Sequence, residues 1–130
     1  MQDISDVEIS GLRIESAGGD GLDITGHVTN ITIRKLHAID GYRQGMSLIS
    51  ATNLLVEDCT FAGTKGTPPE SGIDFEPDYS GDRLVNISLV RVRTVGNHGS
   101  GISIWPGNLR RDQCALLPPP AGISVACVCV

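Results

Sequence analysis

The chain has 130 residues, enough for one domain or part of one. Its 16 glycines, its 4% aromatic content and its many Ile, Val, Leu and Thr residues suit β-structure with tight turns and small core side chains. A formal charge of -5 excludes a general nucleic-acid binder, and no stretch of about 18 apolar residues is present to form a membrane-spanning helix.

Read in chain order, the sequence repeats. Asp6, Asn30, Asn53 and Asn86 each open a similar segment: Asp-Val-Glu-Ile, Asn-Ile-Thr-Ile, Asn-Leu-Leu-Val and Asn-Ile-Ser-Leu. Apolar residues follow at offsets one, three, six and eight, giving columns such as Val7/Ile31/Leu54/Ile87, Ile9/Ile33/Val56/Leu89 and Leu12/Leu36/Cys59/Val92. A glycine-led strand then closes each repeat: Gly21-Leu-Asp-Ile, Gly45-Met-Ser-Leu, Gly72-Ile-Asp-Phe and Gly101-Ile-Ser-Ile. Repeats of 24, 23 and 33 residues, with short alternating strands and no helical period, predict an all-β fold. The expected architecture is a right-handed, single-stranded parallel β-helix, a solenoid of about four coils over residues 4–105. A leucine-rich repeat has a similar period, but these columns are mainly Ile and Val rather than Leu. Alternation fails between offsets three and six, so the chain should bend there. Asn30, Asn53 and Asn86 should form a turn ladder bonded from coil to coil.

Residues 106–130 read as an irregular tail in which Gly122–Val125 imitates one further strand. Cys59 falls at a core position, whereas Cys114, Cys127 and Cys129 lie in the tail without the spacing of a zinc site. A single coil cannot bury its own interior, so coils or caps of a parent chain are expected at both ends. No signal peptide is visible at the N-terminus.

Two insertions break the register, and both fall in the third coil. Thr64–Ser71 and Pro77–Val85 bracket Gly72-Ile-Asp74-Phe-Glu76-Pro, the strand with two outward carboxylates. Loops raised from a rigid scaffold are where sites tend to lie, so a groove is expected there, with both carboxylates opening into it. The outward columns read Asp23, Ser47, Asp74, Ser103 and Thr25, Ile49, Glu76, Trp105, and preceding turns supply Asp20, Tyr42, Arg43, Gln44 and His98. Arg43 is expected within reach of Asp74 or Glu70. Trp105 offers a flat apolar face to a sugar ring. Asp74, Glu76 and Arg43 are therefore the candidate catalytic residues. Asp23, Gln44, Tyr42, His98, Trp105 and Glu70 are candidate substrate-binding residues.

Over residues 4–105 the coils resemble the right-handed parallel β-helix proteins of the pectin-lyase-like superfamily. The resemblance implies a polysaccharide substrate, a site on the outer face of one sheet, and a secreted, cell-surface or periplasmic parent protein. Gly19-Asp20-Gly21-Leu22-Asp23 is similar to the first acidic motif of polygalacturonase-type glycosidases, and His98-Gly99-Ser100-Gly101 resembles their Gly-His-Gly motif. Their adjacent Asp-Asp pair is absent, since Phe75 follows Asp74. The Asp-Pro-His-Glu of mannuronan epimerases is not matched by Asp74-Phe75-Glu76-Pro77. The particular activity is therefore not implied.

Two chemistries suit the residues. Hydrolysis would use Asp74 and Glu76, whose backbones stand about 6.7 Å apart at i and i+2 on a strand, a spacing that leans toward an inverting pair. It needs no metal or other cofactor. A lyase or C5-epimerase would instead hold Ca²⁺ between carboxylates and a uronate, with Arg43 or His98 near the C5 proton. A third reading is a non-catalytic β-helix that binds glycan or builds a shaft. Two further patterns are read as structural: the glycosylation triplets at Asn30 and Asn86, which fall in the Asn ladder, and the outward column of Arg13, His37 and Arg93.

Overall fold

The computed structural model describes residues 1–109 and the backbone pairing of Cys114–Ala115. The Gly122–Val125 strand and the cysteines at 127 and 129 lie outside the described residues. Three strands make each coil. The first coil holds β1 (Ser5–Ser10), β2 (Arg13–Glu15) and β3 (Leu22–Ile24), and the second β4 (Thr29–Arg34), β5 (His37–Ile39) and β6 (Met46–Leu48). The third holds β7 (Ala51–Glu57), β8 (Thr60–Ala62) and β9 (Ile73–Phe75). The fourth holds β10 (Leu84–Val90), β11 (Arg93–Val95) and β12 (Ile102–Ile104). A two-residue strand β13 (Cys114–Ala115) pairs with the start of β10.

The strands stack into three parallel sheets, ordered β1-β4-β7-β10-β13, β2-β5-β8-β11 and β3-β6-β9-β12. No helix occurs among the described residues. This is the expected four-coil, right-handed parallel β-helix. Its register matches the sequence columns: Val7 lies beside Ile31, Ile31 beside Leu54, and Leu54 beside Ile87. The inward side chains form one core, with Ile24, Ile33, Leu36, Phe61, Ile73 and Leu84 fully buried. Cys59 is buried in that core as a free thiol, and burial pushes its pKa up.

Each coil turns on left-handed residues at fixed places. Asp6, Asn30, Asn53 and Asn86 have φ of 55–58°, and a second column, Gly11, Lys35, Asp58 and Arg91, marks the bend expected between offsets three and six. Asp and Asn tolerate this conformation better than most residues, which accounts for their recurrence. The Asn ladder exists, but inside the first sheet rather than at a turn. The left-handed residue interrupts backbone pairing, and its side chain supplies the replacement bonds. Asn30 Nδ2 donates to Asp6 Oδ1 at 2.9 Å, Asn53 to Asn30 at 2.9 Å, and Asn86 to Asn53 at 2.8 Å. Asn53→Ala removes two of these bonds and places alanine in the left-handed region. We expect a loss of about 2 kcal/mol, read as a lower urea midpoint at unchanged slope.

The glycine that leads each third-sheet strand has a steric cause. A Cβ on Gly21 would stand 2.7 Å from Gly45 O, one on Gly45 2.5 Å from Gly72 O, and one on Gly72 2.6 Å from Gly101 O. Each coil's carbonyl fills the place where its neighbour's side chain would begin. This column brings the third sheet's turns together and sets the residues beside them, Asp20, Gln44 and Ser71, against one another.

Candidate functional site

The outer face of the third sheet carries the acidic residues. Because Leu22, Met46, Ile73 and Ile102 share an inward column, strand alternation turns Asp23, Ser47, Asp74 and Ser103 outward in a row, with Asp23 paired to Ser47 and Ser47 to Asp74. Glu76 and Trp105 follow in the next position, held by Glu76 N–H to Leu48 O and Trp105 N–H to Phe75 O.

Glu76 is the hub. Arg43 reaches it with both terminal nitrogens at 3.1–3.2 Å, Gln44 Nε2 donates at 2.8 Å, and Ser47 Oγ lies 2.7 Å away. Arg43 also bonds Asp20 Oδ2 at 2.9 Å, and Ser47 Oγ lies 2.9 Å from the same oxygen. Ser47 has one proton and faces two carboxylates, so it can donate to only one of them at a time. Burial alone would lower the Arg43 pKa, but Glu76 and Asp20 outweigh it and hold the guanidinium charged.

Two expectations are corrected here. Arg43 pairs with Glu76 and Asp20, not with Asp74 or Glu70, because its turn sits beside Asp20's turn and its side chain runs along the strand toward Glu76. Glu70 instead lies in the inserted loop of residues 64–71, accepting from Gly66 N–H and facing His98 Nδ1 at 3.5 Å. Asp74 points away from the core as expected, but it does not open into a groove. Only 1% of it is exposed, since Ser47, Ser103 and Glu76 crowd around it. Burial, then the Glu76 charge, pushes its carboxyl above the ordinary value of 3.8.

The remaining residues divide. Gln44 is fully buried within the cluster, whereas Tyr42 and Trp105 are exposed at its margins and His98 is an exposed turn residue. Asp23 is exposed at the first coil. Burial of its carboxyl raises its pKa, opposed by the N-terminal amine and reinforced by Asp20 and Glu76. Asp20 and Ser47 were not among the candidate site residues. Their signal was the register itself, since Ser47 stands between Asp23 and Asp74 in one column and Asp20 immediately precedes a column glycine. Among the described residues three buried acceptors have no donor: Asp20 Oδ1, Gln44 Oε1 and Asp74 Oδ1.

A calcium ion, as the lyase reaction would use, needs six to eight oxygen ligands. Among the described residues no three acidic, His or Cys groups converge as a metal site. The Arg43 guanidinium already lies between Asp20 and Glu76, where such an ion would neutralise them. The residues do not fit the ion.

With fold and site described, comparison with known families is decisive on one point: the family described as right handed beta helix region matches residues 1–125. The chain belongs to that family. Curated proteins and solved structures give no match.

In this right-handed β-helix a trough of about 370 Å³ lies on another face, the outside of the first sheet. It is lined by Asn30, Asn53 and Asn86 with Thr32, Leu55 and Ser88. The groove was expected at the third sheet, between residues 64–71 and 77–85, whereas this trough lies on the first.

Asp74 also gives a stability prediction. A carboxyl whose folded pKa is raised favours the native state below its unfolded pKa, and that contribution is lost as pH rises through the folded value. Asp74→Asn removes the cost of a buried charge, so it should raise the melting temperature at pH 7 and leave it nearly unchanged at pH 3. Thermal melts at both pH values test this. Equal shifts at the two would mean that Asp74 does not titrate in a raised range.

Proposed function

We propose that the third-sheet face acts on a polysaccharide, and that its reaction is hydrolysis of a glycosidic bond by a carboxylate pair. The observation that carries this reading is Ser47, flanked by the reachable Asp23, whose carboxyl is pushed up, and by Glu76, paired with Arg43. A carboxyl whose pKa is raised, on the same face as a carboxylate paired with a guanidinium, suits a general acid and a general base. Asp23 would give its proton to the leaving oxygen, and Glu76 would take one from the attacking water. Arg43, Gln44 and Ser47 hold Glu76 in position. Asp74, the partner expected from sequence, is too enclosed for direct proton transfer. Exposed Tyr42 and Trp105 offer sugar-stacking surfaces on two sides. A polymer substrate also favours a location outside the cytoplasm.

The test is release of reducing ends from a panel of polysaccharides. Asp23→Asn and Glu76→Gln should each lower kcat by about 100-fold or more with unchanged circular dichroism, while Asp74→Asn should cost less than about tenfold. If both Asp23→Asn and Glu76→Gln keep the full rate, these two carboxyls are not the catalytic pair and the cleavage is carried elsewhere on the protein.

A further inference from the structure

We infer that the polymer taken by this face carries free amino groups, so that its substrate class is an amino-sugar polysaccharide rather than a uronate or a neutral glycan. The inference rests on the proposed function and names the substrate of the same site.

The face is short of positive charge and of donors. Asp20, Asp23, Asp74 and Glu76 gather around one column, and Arg43 is the one cationic side chain bonded to any of them among the described residues. Both terminal nitrogens of Arg43 are directed at Asp20 and Glu76, and the Met1 ammonium is bonded to Asp23 O, so both of these cations are already engaged. Gln44, with no exposed surface, and Asp74, with 1%, each keep one acceptor without a partner, and Asp20 keeps a third. Asp23, exposed, and Glu76, partly exposed, are the acidic groups of this face that a ligand can reach. A polyuronate would meet like charge there, which costs affinity. A neutral sugar would gain only ordinary hydrogen bonds. An ammonium group brings three donors and a positive charge, and charge-assisted bonds are roughly twice as strong as neutral ones. The exposed rings of Trp105 and Tyr42 fit the same ligand, since aromatic faces attract cations as well as stacking on sugars.

The experiment compares binding of three probes by calorimetry: a β-1,4-linked glucosamine hexamer, the same hexamer fully N-acetylated, and a galacturonate hexamer. Acetylation removes the charge and keeps the backbone. The free-amine hexamer should bind at least tenfold more tightly than the acetylated one, with affinity falling as salt rises, and the galacturonate hexamer should bind weakest. General acidity is controlled by two double variants of equal charge change. Asp20→Asn with Asp23→Asn should weaken glucosamine binding at least tenfold, whereas Glu8→Gln with Glu15→Gln should change it less than twofold. Equal affinity for the two hexamers, tighter galacturonate binding, or equal weakening by both variants would overturn the inference. Cleavage of a neutral glycan without amino-sugar preference would leave the hydrolase reading standing and remove this one. Tight glucosamine binding without cleavage would do the reverse, and no binding of any probe would remove both.

Discussion

Replacing Ile33 by aspartate is expected to unfold the protein. Ile33 has no exposed surface and stacks between Ile9 and Val56 in adjacent coils of the first sheet. Its stacked neighbours Ile9 and Val56 are apolar, and the nearby Cys59 thiol is a weak donor already turned to Ile33 O, so an introduced carboxylate finds no adequate partner. Burying an unpaired carboxylate costs several kcal/mol even after its pKa adjusts, and the lost isoleucine packing adds about 2 kcal/mol or more. A domain's whole stability is about 5–15 kcal/mol. The strand signal in circular dichroism and the cooperative urea transition should both vanish. Thr32→Asp, one residue away on the half-exposed outer side, should fold with stability near that of the wild type. An Ile33→Asp variant that melted cooperatively within about 1 kcal/mol of wild type would mean that this column is not the core.

The second large effect is expected at Gly45. A methyl group there would approach Gly72 O at 2.5 Å and Phe61 Cβ at 2.8 Å, and neither can yield. Gly72 O accepts from Met46 N–H in the stacked sheet, and Phe61 is buried in the core. The coils would have to separate locally, breaking hydrogen bonds on both sides. Overpacking of this kind typically costs about 1–3 kcal/mol, and contact with backbone on one side and core on the other places Gly45→Ala at or above the upper end. Gly18→Ala is the control, because nothing lies within 4 Å of a Cβ at that position. Urea titration of the two variants should give a large drop for the first and little change for the second. Similar midpoints would show that the glycine column is not held by close approach.

The sequence exposed most of the fold because a stacked solenoid repeats its constraints. Each inward position sees the same neighbour one coil away, so Val7, Ile31, Leu54 and Ile87 declare their column four times. Left-handed corners were half legible. Asn recurred visibly, but Lys35 and Arg91 adopt the same conformation without any compositional mark. At the site the row Asp23, Ser47, Asp74, Ser103 was readable from strand alternation, and so was the proximity of Arg43. Which carboxylate Arg43 would choose was not, since that depends on the direction of a long flexible side chain rather than on period. Exposure was hidden for a similar reason. Outward on a strand means exposed only where neighbouring side chains are short or diverge, and around Asp74 they converge.

The Asn ladder gives the solenoid a direction of assembly. Every amide in it donates toward the preceding coil, and the series ends on Asp6, which as a carboxylate can accept but not donate. Asn30 binding also lowers the Asp6 pKa, which keeps that end ionised. The coils are consequently not interchangeable modules. A duplicate of residues 30–52 inserted after itself would carry the relay onward, because its asparagine both receives and gives. A duplicate of residues 6–29 in the same place would set a carboxylate where a donor is required, facing an amide oxygen across the gap. Lengthening such a protein is thus a matter of grammar: a repeat that opens on asparagine continues the ladder, and one that opens on aspartate closes it.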